Sequence, residues 1–370
     1  MSSFTRVSRS AAKIARSRAE ELRRRLIALG ALDNSLKPFE EDGFVFFPLK
    51  ELEGVRGIVE ELGGELTRAT FEVRERKPRT LREALSRRLP GHLLDKLPSS
   101  YDIIGNLILV DLCEELRDYA REIGEALLRI HPRAKVVLAK GETTGDYRIR
   151  HVEIIAGSGD TETIHREHGC VYKLDLRKAF FSPRLSGERL RVARQVLPGE
   201  SVLDMFAGVG PFSILIARIQ PSARVVAIEI NPDAYRYLLE NMKLNNVEDR
   251  VTPMLGDARK ILENVREEFD RIIMDLPYRS LEFLDVGLRA CRRGGIIHLY
   301  AVSGSLEDLS RLVENRAAEL GHMVEVEAGR EVMEVAPRRS IFALDLRKAS
   351  QPLYGFKNRL SPGGLGWGLR

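Results

Sequence analysis

The chain has 370 residues, of which 44% are hydrophobic and 6% aromatic, and its formal net charge is +5. This length predicts two or three domains of ~100–200 residues each. No run approaches the ~20 apolar residues of a membrane span, so no membrane association is predicted. The 3 cysteines are far apart and predict neither a disulfide framework nor a thiolate metal site, which favours a cytoplasmic location.

The first thirty residues are strongly basic, and the spacing of their apolar residues predicts a helix over 11–29. The basic residues are Arg6, Arg9, Lys13, Arg16, Arg18, Arg23, Arg24 and Arg25. Such a surface suits a polyanion, but a solvated helix face is an equally good interpretation. The stretch also resembles an organelle transit peptide, although its pattern runs on into the predicted helix.

Residues 1–75 are predicted to form a basic α+β domain, with a strand at 44–49, a helix at 50–62 and a strand at 65–73. A polar, proline-containing linker at 74–80 follows. Residues 81–176 predict a second α+β domain with an antiparallel sheet. Its predicted elements are a broken helix at 81–97, a strand at 101–112, a helix at 113–130 and strands at 135–139, 147–156, 161–168 and 171–176.

A hairpin turn is predicted at His168-Gly169, between the last two of these strands. His165, His168 and Cys170 also suggest a metal site, but a fourth ligand at a sensible spacing is missing, so no metal is predicted. From residue 185 onward, helices and strands alternate strictly. This predicts a doubly wound parallel sheet over 177–348 that ends in an antiparallel hairpin. Residues 349–370 are rich in glycine and predict a mobile tail.

The stretch at 201–212, SVLDMFAGVGPF, reads as an apolar strand, a glycine-bearing turn and the start of a helix. Gly208 and Gly210 allow a ligand to approach the main chain closely, as dinucleotides do in comparable loops. Asp204 would repel a pyrophosphate and suits a cationic ligand better. The stretch, with Phe206 in its turn, resembles the first motif of the class I methyltransferases, whose cofactor is S-adenosylmethionine.

Ligands of a doubly wound sheet bind beyond the carboxyl ends of its strands. Glu229 ends the second strand and is predicted to accept from the ribose hydroxyls, while the next polar residue, Asn231, fits a helix cap. Asp257 follows the third strand and is predicted to accept from adenine, although a helix cap is an equally good interpretation. The fourth strand is followed by Asp275, Pro277 and Tyr278, which suit a planar base. The carboxylate can accept hydrogen bonds from the edge of the base, the proline makes a rigid turn, and the tyrosine ring can stack on its face.

Several further motifs occur in the same order as in one family. They are LPSSYDIIG at 97–105, YRIR at 147–150, TETIHREHG at 161–169 and FSPRLSGER at 181–189. With the cofactor loop, they make the chain resemble the tRNA (guanine-37 N1)-methyltransferases of archaeal and eukaryotic type over most of residues 10–347. The resemblance implies a tRNA-binding first domain, a second domain that shapes the site and a catalytic class I domain.

Methylation at guanine N1 requires a base for the N1 proton and a cation for the charge that grows on O6. The resemblance assigns these roles to Glu188 and Arg148, gives Asp275 the task of orienting the base, and places Arg184 against a phosphate. A salt bridge on a strand face is the alternative for Arg148, and pairing with Arg184 or Arg189 is the alternative for Glu188.

The sequence therefore predicts a cytoplasmic enzyme, favoured as a monomer, that binds tRNA and methylates N1 of guanosine 37 with S-adenosylmethionine. One alternative is a methyltransferase that acts also, or instead, on a wyosine precursor. A second is the related wyosine aminocarboxypropyl transferase, and a third is a non-catalytic tRNA-binding protein. Two departures from the family are noted: Asp275 stands where many members have Asn, and Leu276 where the broader motif has proline.

Overall fold

The computed structural model describes residues 6–50, 53–74, 78–144, 149–263 and 268–349. Arg148 and the predicted tail beyond residue 349 lie outside these residues. The chain divides into two compact units, residues 1–79 and 80–370. The boundary predicted near residue 177 falls within the second unit and stays a prediction. Among the described residues, no helix is long and apolar enough to cross a membrane.

The first unit is a four-stranded antiparallel sheet, in the order β2-β3-β1-β4, packed against two helices. Its elements are β1 (Arg6–Ala15), α1 (Ala19–Ala28), β2 (Phe39–Glu41), β3 (Phe44–Pro48), α2 (Val55–Glu61) and β4 (Glu65–Glu72). The strands predicted at 44–49 and 65–73 are confirmed.

The helix predicted over 11–29 is wrong in its first part, where the chain continues strand β1 as far as Ala15. Strand β1 pairs with β3 on one side and β4 on the other, so its small buried residues Ala11 and Ala12 lie inside the sheet. Pairing on both edges outweighs the helical spacing of the apolar residues. A single 3₁₀ turn, Arg16–Arg18, then leads into α1.

Most of the basic residues near the start are paired within the unit. Lys13 pairs with Glu65, Arg16 with Glu40, Arg18 with Glu21, Arg23 and Arg24 with Glu20, and Arg25 with Glu21 and Glu61. All of these pairs are at least partly exposed, so each contributes little stability.

The second unit begins with a four-stranded sheet in the order β5-β6-β7-β8. Its elements are α3 (Leu81–Leu85), α4 (Gly91–Leu94), β5 (Tyr101–Ile104), β6 (Leu107–Val110), α5 (Ala120–Ile130), β7 (Val136–Thr144) and β8 (Ile149–Gly157). The single strand predicted at 101–112 is instead a hairpin that turns at Gly105, whose φ is +58°. Strands β6 and β7 are parallel because α5 connects them, so the sheet is mixed and the prediction of an antiparallel one is wrong for this pair.

The hairpin predicted at 161–176 is confirmed as β9 (Glu162–Glu167) and β10 (Cys170–Asp175). His168 and Gly169 both have positive φ, +48° and +78°, as a tight hairpin turn requires. Two buried asparagines of the later helix 232–245 fix the hairpin, because Asn241 and Asn245 each accept from and donate to the β10 backbone.

The rest of the unit is a seven-stranded sheet in the order β13-β12-β11-β14-β15-β17-β16. Its elements are α6 (Ser186–Gln195), β11 (Ser201–Asp204), α7 (Pro211–Ile219), β12 (Arg224–Glu229), α8 (Pro232–Asn245), β13 (Val251–Leu255), α9 (Ala258–Glu263), β14 (Phe269–Met274), α10 (Leu284–Ala290), β15 (Cys291–Ser303), α11 (Leu306–Glu319), β16 (Val324–Ala336) and β17 (Arg339–Lys348). Strands β11 to β15 are parallel, whereas β17 and β16 are antiparallel and form the predicted terminal hairpin. The doubly wound sheet predicted from the alternation is confirmed.

Candidate active site

The glycine loop between β11 and α7 leaves space on one side and is tightly packed on the other. Gly208 and Gly210 have φ values of +56° and +90°. A Cβ on Gly208 would meet no atom within 4 Å, whereas one on Gly210 would lie 2.5 Å from Leu238 Cδ1. Gly208 therefore faces the open side, where a ligand approaches the backbone, and Gly210 lets α7 pack against α8.

Gly210→Ala is expected to destabilise the second unit by about 2 kcal/mol or more, because alanine combines an unfavourable φ with a steric clash. Gly208→Ala adds the same backbone strain without the clash and is the matched control. Chemical denaturation of the two variants should give a clearly lower midpoint for Gly210→Ala. Equal midpoints would contradict the packing role.

Asp204 is buried at the end of β11, with 1% of its surface exposed. Its Oδ2 accepts from Ser213 Oγ at 2.7 Å, while its Oδ1 is buried without a hydrogen-bond partner among the described residues. Burial, with a smaller contribution from Asp275, raises the pKa of Asp204 to about 7. An unpaired carboxylate oxygen of this kind fits a cationic ligand, which would compensate the charge.

Glu229 ends the neighbouring strand β12, and its carboxylate holds the glycine loop in place. Its Oε2 accepts from Gly208 N at 2.6 Å and its Oε1 from Asn231 N at 2.7 Å. Burial raises the pKa of Glu229. Each carboxylate oxygen keeps a second lone pair, with which it can accept from a ribose hydroxyl. The ribose contact itself stays a prediction. Asn231 caps α8 by accepting from Asp233 N, as predicted.

Asp257 follows β13, and its Oδ1 accepts from Arg259 N at 2.7 Å in the first turn of α9. The helix-cap interpretation therefore holds for one oxygen. Phe206, in the glycine loop, packs edge-on against Phe283 with ring centroids 5.1 Å apart. The predicted cofactor contacts of Asp257 and Phe206 both stay predictions.

The turn after β14 is held by backbone and hydroxyl contacts despite Leu276. Ser280 Oγ donates to Met274 O at 3.0 Å and accepts from Leu276 N at 3.2 Å. Pro277 O accepts from Val302 N at 2.9 Å, which ties the turn to β15. Tyr278, in this turn, is 55% exposed, and its predicted stacking on a base stays a prediction.

Asp275 is half-buried at the start of this turn, and its Oδ1 has no hydrogen-bond partner among the described residues. Burial raises the pKa of Asp275 to about 6; Arg189 opposes this shift and Glu188 adds to it. The environment is thus unfavourable to the ionised carboxylate, and Asp275 can accept a hydrogen bond from a ligand.

Asp275→Asn is expected to stabilise the protein at neutral pH and not at pH 4. The unfolded carboxyl ionises near pH 3.8 and the folded one near 6, so the wild type loses stability as pH rises from about 4 to 6. The variant should escape this loss, which is about 1–3 kcal/mol. Denaturation at pH 4 and pH 8 measures it, and an equal difference between the two proteins at both pH values would contradict the burial effect.

Glu188 lies in the first turn of α6, where a negative charge is favourable. The alternative that it pairs with Arg184 or Arg189 is wrong, because its Oε2 accepts from Arg191 Nε at 2.9 Å and from Tyr300 Oη at 3.2 Å. Its Oε1 has no hydrogen bond among the described residues. The charge of Glu188 adds to the upward shift of the pKa of Asp275, so the two carboxylates are near enough for their charges to interact.

Arg184 is 40% exposed at its side chain and donates from Nε to Asp102 Oδ1 at 2.7 Å. This bond joins the second sheet to the segment before α6, and Asp102 also accepts from Lys140 Nζ at 3.0 Å within that sheet. The predicted phosphate contact of Arg184 would have to be made by its terminal nitrogens. Of the two phenylalanines that precede Arg184 in the chain, Phe181 is buried and Phe180 is exposed.

Four residues near Glu188 were missed by sequence reasoning: Arg191, Tyr300, Arg330 and Asp345. Asp345 gave the clearest available signal, since it is a charged residue within the apolar strand sequence FALDL. The part of the chain that the structure describes contains no group of three or more His, Cys, Asp or Glu placed to hold a metal ion. His165 and His168 instead make hydrogen bonds, to Gly105 N and Ser186 respectively.

The strand order and this carboxylate-rich loop edge define a class I methyltransferase domain. Three protein-family models match the sequence. The TRM5/TYW2 methyltransferase domain matches residues 163–327, the TYW2 N-terminal domain matches residues 81–161, and the tRNA methyltransferase 5 N-terminal domain matches residues 11–54. The chain is 43% identical to the tRNA (guanine(37)-N(1))-methyltransferase Trm5b of Pyrococcus abyssi, over 91% of this chain and 98% of the relative. The chain belongs to this TRM5/TYW2 family, as its motifs predicted.

Two further matches are informative. The solved complex of aTrm5 and tRNALeu superimposes with a TM-score of 0.73 and 32% identity, covering 91% of this chain and 99% of that one. A tRNA(Phe) (4-demethylwyosine(37)-C(7)) aminocarboxypropyltransferase of Pyrococcus horikoshii is 41% identical, but over only 60% of this chain and 78% of the relative.

Proposed function

We propose that this enzyme transfers a methyl group from S-adenosylmethionine to N1 of guanosine 37 in tRNA. The observation that carries the proposal is the extent of similarity to Trm5b, which covers 91% of the chain. The match at residues 11–54 to the tRNA methyltransferase 5 N-terminal domain adds to it. The aminocarboxypropyltransferase relative matches a smaller part of the chain, which makes the methyltransferase the better-supported activity.

S-adenosylmethionine supplies an electrophilic methyl group when it is bound. The unpaired Oδ1 of Asp204 would accept from its amino group, since this buried oxygen lacks any other partner among the described residues. Glu229 would hold the ribose with its remaining lone pairs, Asp257 would accept from adenine with Oδ2, and the open side of Gly208 would admit the ligand.

On the substrate side, Glu188 Oε1 would take the N1 proton, because its other oxygen is already held by Arg191 and Tyr300. Asp275 Oδ1 would accept from the guanine edge and Tyr278 would stack on its face. Arg148 would stabilise the charge on O6, as the family resemblance implies, and Arg184 would contact a phosphate.

Binding of tRNA would depend on the basic first unit, whose exposed ion pairs can exchange a glutamate for a phosphate. Affinity should therefore fall steeply with salt. We place the enzyme in the cytoplasm as a monomer; its three cysteines are free thiols, as a reducing compartment requires.

The test is an incubation with S-adenosylmethionine labelled either in the methyl group or in the carboxyl carbon. Transcripts carrying guanosine or adenosine at position 37 are compared. Methyl label on the guanosine transcript alone is expected. Equal methyl label on both transcripts would refute selection of guanosine 37. A tRNA that carries 4-demethylwyosine is incubated beside them, and carboxyl label on it would indicate aminocarboxypropyl transfer instead.

A further inference from the structure

Glu188 lies at one end of a set of ion pairs that continues into the buried part of the sheet. Arg191 donates from Nε to Glu188 Oε2 at 2.9 Å and from its terminal nitrogens to Asp345 Oδ2 and Oδ1 at 2.6 and 3.1 Å. Arg330, on β16, lies 3.8 Å from Glu188 Oε1 and 3.4 Å from Asp345 Oδ2. The two carboxylates therefore share two guanidinium groups.

Asp345 is the more buried of the two carboxylates, and it has a third partner. This residue is 5% exposed and, besides the two arginines, its Oδ1 lies 2.6 Å from His298 Nδ1. Arg271 donates to the other ring nitrogen of His298, so we assign the proton of the neutral ring to Nδ1, which donates to Asp345. Burial lowers the pKa of His298, in agreement with a neutral ring.

Asp345 remains an anion in this setting. Burial alone would raise its pKa, but the hydrogen bond from His298 and the pairing with Arg191 hold that pKa well below its usual range. Burial likewise acts to lower the pKa of Arg191, yet its bonds to Glu188 and Asp345 raise it above the ordinary value. Arg191 is thus a permanent cation, and Asp345 is the anion that balances it.

We propose that Asp345 is a positioning residue, which takes up most of the charge of Arg191 and Arg330 and so leaves Glu188 Oε1 able to accept the substrate proton. The inference rests on the proposed function, in which Glu188 is the base. Without Asp345, the positive charge of two arginines would act on Glu188 alone and make its carboxylate a weaker base for the N1 proton.

Four elements bring titratable or charged groups against Glu188. They are Arg191 on its own helix α6, Tyr300 on β15, Arg330 on β16 and, through its charge, Asp275 after β14. Tyr300 donates to Oε2 and fixes the carboxylate without adding charge at neutral pH. Changes to Asp345 and Arg330 therefore alter the charge balance in opposite directions, while the hydrogen bond from Tyr300 stays.

The experiment measures kcat/KM for 1-methylguanosine formation between pH 5 and 9 in the full-length enzyme. Asp345→Asn is expected to move the acid limb of the profile to lower pH by about half a unit, and to lower the rate at pH 8 about twofold to threefold. Arg330→Met should move the acid limb to higher pH, and Arg330→Lys, which keeps the charge, should restore it. A merely structural role would not produce opposite shifts.

Asp270→Asn is the matched control. Asp270 also pairs with an arginine, Arg292, but it lies near the amino end of β14, whereas the site is at the carboxyl ends of the strands. It is expected to lower stability without moving the limb. If Asp345→Asn does not fold, the two variants Arg330→Met and Arg330→Lys decide the question. The Arg330 side chain is 31% exposed, so its replacement should leave the fold intact. Unmoved limbs, or shifts in the same direction, would overturn the proposal.

The wild-type enzyme and Glu188→Gln are assayed in the same series, so that failure of the proposed methyltransferase activity can be told apart from failure of the positioning role of Asp345. No 1-methylguanosine from the wild type would overturn the proposed function, and with it this inference. Full turnover by Glu188→Gln would leave the methyltransferase activity standing and overturn the positioning role, since there would be no base at this site to position.

Discussion

Glu188→Gln is expected to lower turnover at least ~100-fold while leaving the affinities for S-adenosylmethionine and tRNA within about twofold of the wild type. Glutamine can keep the contacts of Oε2 with Arg191 and Tyr300, but it cannot take a proton from guanine N1. Single-turnover kinetics separates the chemical step from binding, which is measured by titration.

The control for this experiment is Glu240→Gln, which removes a partly exposed carboxylate of α8 that pairs with Lys173 on β10. It should keep wild-type turnover. A Glu188→Gln enzyme that binds S-adenosylmethionine poorly and regains its rate at saturating cofactor would show that Glu188 belongs to the cofactor site, and that the base lies elsewhere.

Asp204→Asn is the second change with a large expected effect, and its two consequences have opposite signs. The affinity for S-adenosylmethionine should fall about 100-fold, because the buried partner of the cofactor's amino group loses its charge. The free protein should become more stable at pH 8, because burial raises the pKa of Asp204 to about 7 and the wild type therefore loses stability as pH rises from about 4 to 7.

Calorimetric titration and thermal unfolding of the free protein measure the two effects together. Ser213→Ala is the comparison: it removes the one hydrogen bond that Asp204 receives from a side chain and leaves the charge in place. A stabilised Asp204→Asn protein that binds the cofactor as tightly as the wild type would refute the ammonium contact and leave only the burial effect.

The doubly wound sheet could be predicted from the sequence because its signals are local. Each strand is a short apolar run, each helix has its own period, and the strand-end residues Asp204, Glu229, Asp257 and Asp275 therefore fall at one edge by topology alone. The hairpin at His168-Gly169 was predictable for the same reason, since the two residues define the turn.

What could not be predicted depends on pairing between distant segments. Strand β1 has helical spacing, and only its pairing with β3 and β4 makes it a strand. The hairpin at Gly105 was hidden within one apolar run. The partner of Glu188 was also missed, because Arg191 is fixed by Asp345, 154 positions away in the chain.

The most direct test of the central claim is nucleoside mass analysis of tRNA after incubation with S-adenosylmethionine that carries a deuterated methyl group. Transcripts with guanosine or adenosine at position 37 are digested beside a tRNA that carries a wyosine precursor. Deuterated 1-methylguanosine is expected from the guanosine transcript and no methylated product from the adenosine one. Methylation of the wyosine precursor with no 1-methylguanosine from the guanosine transcript would contradict the central claim.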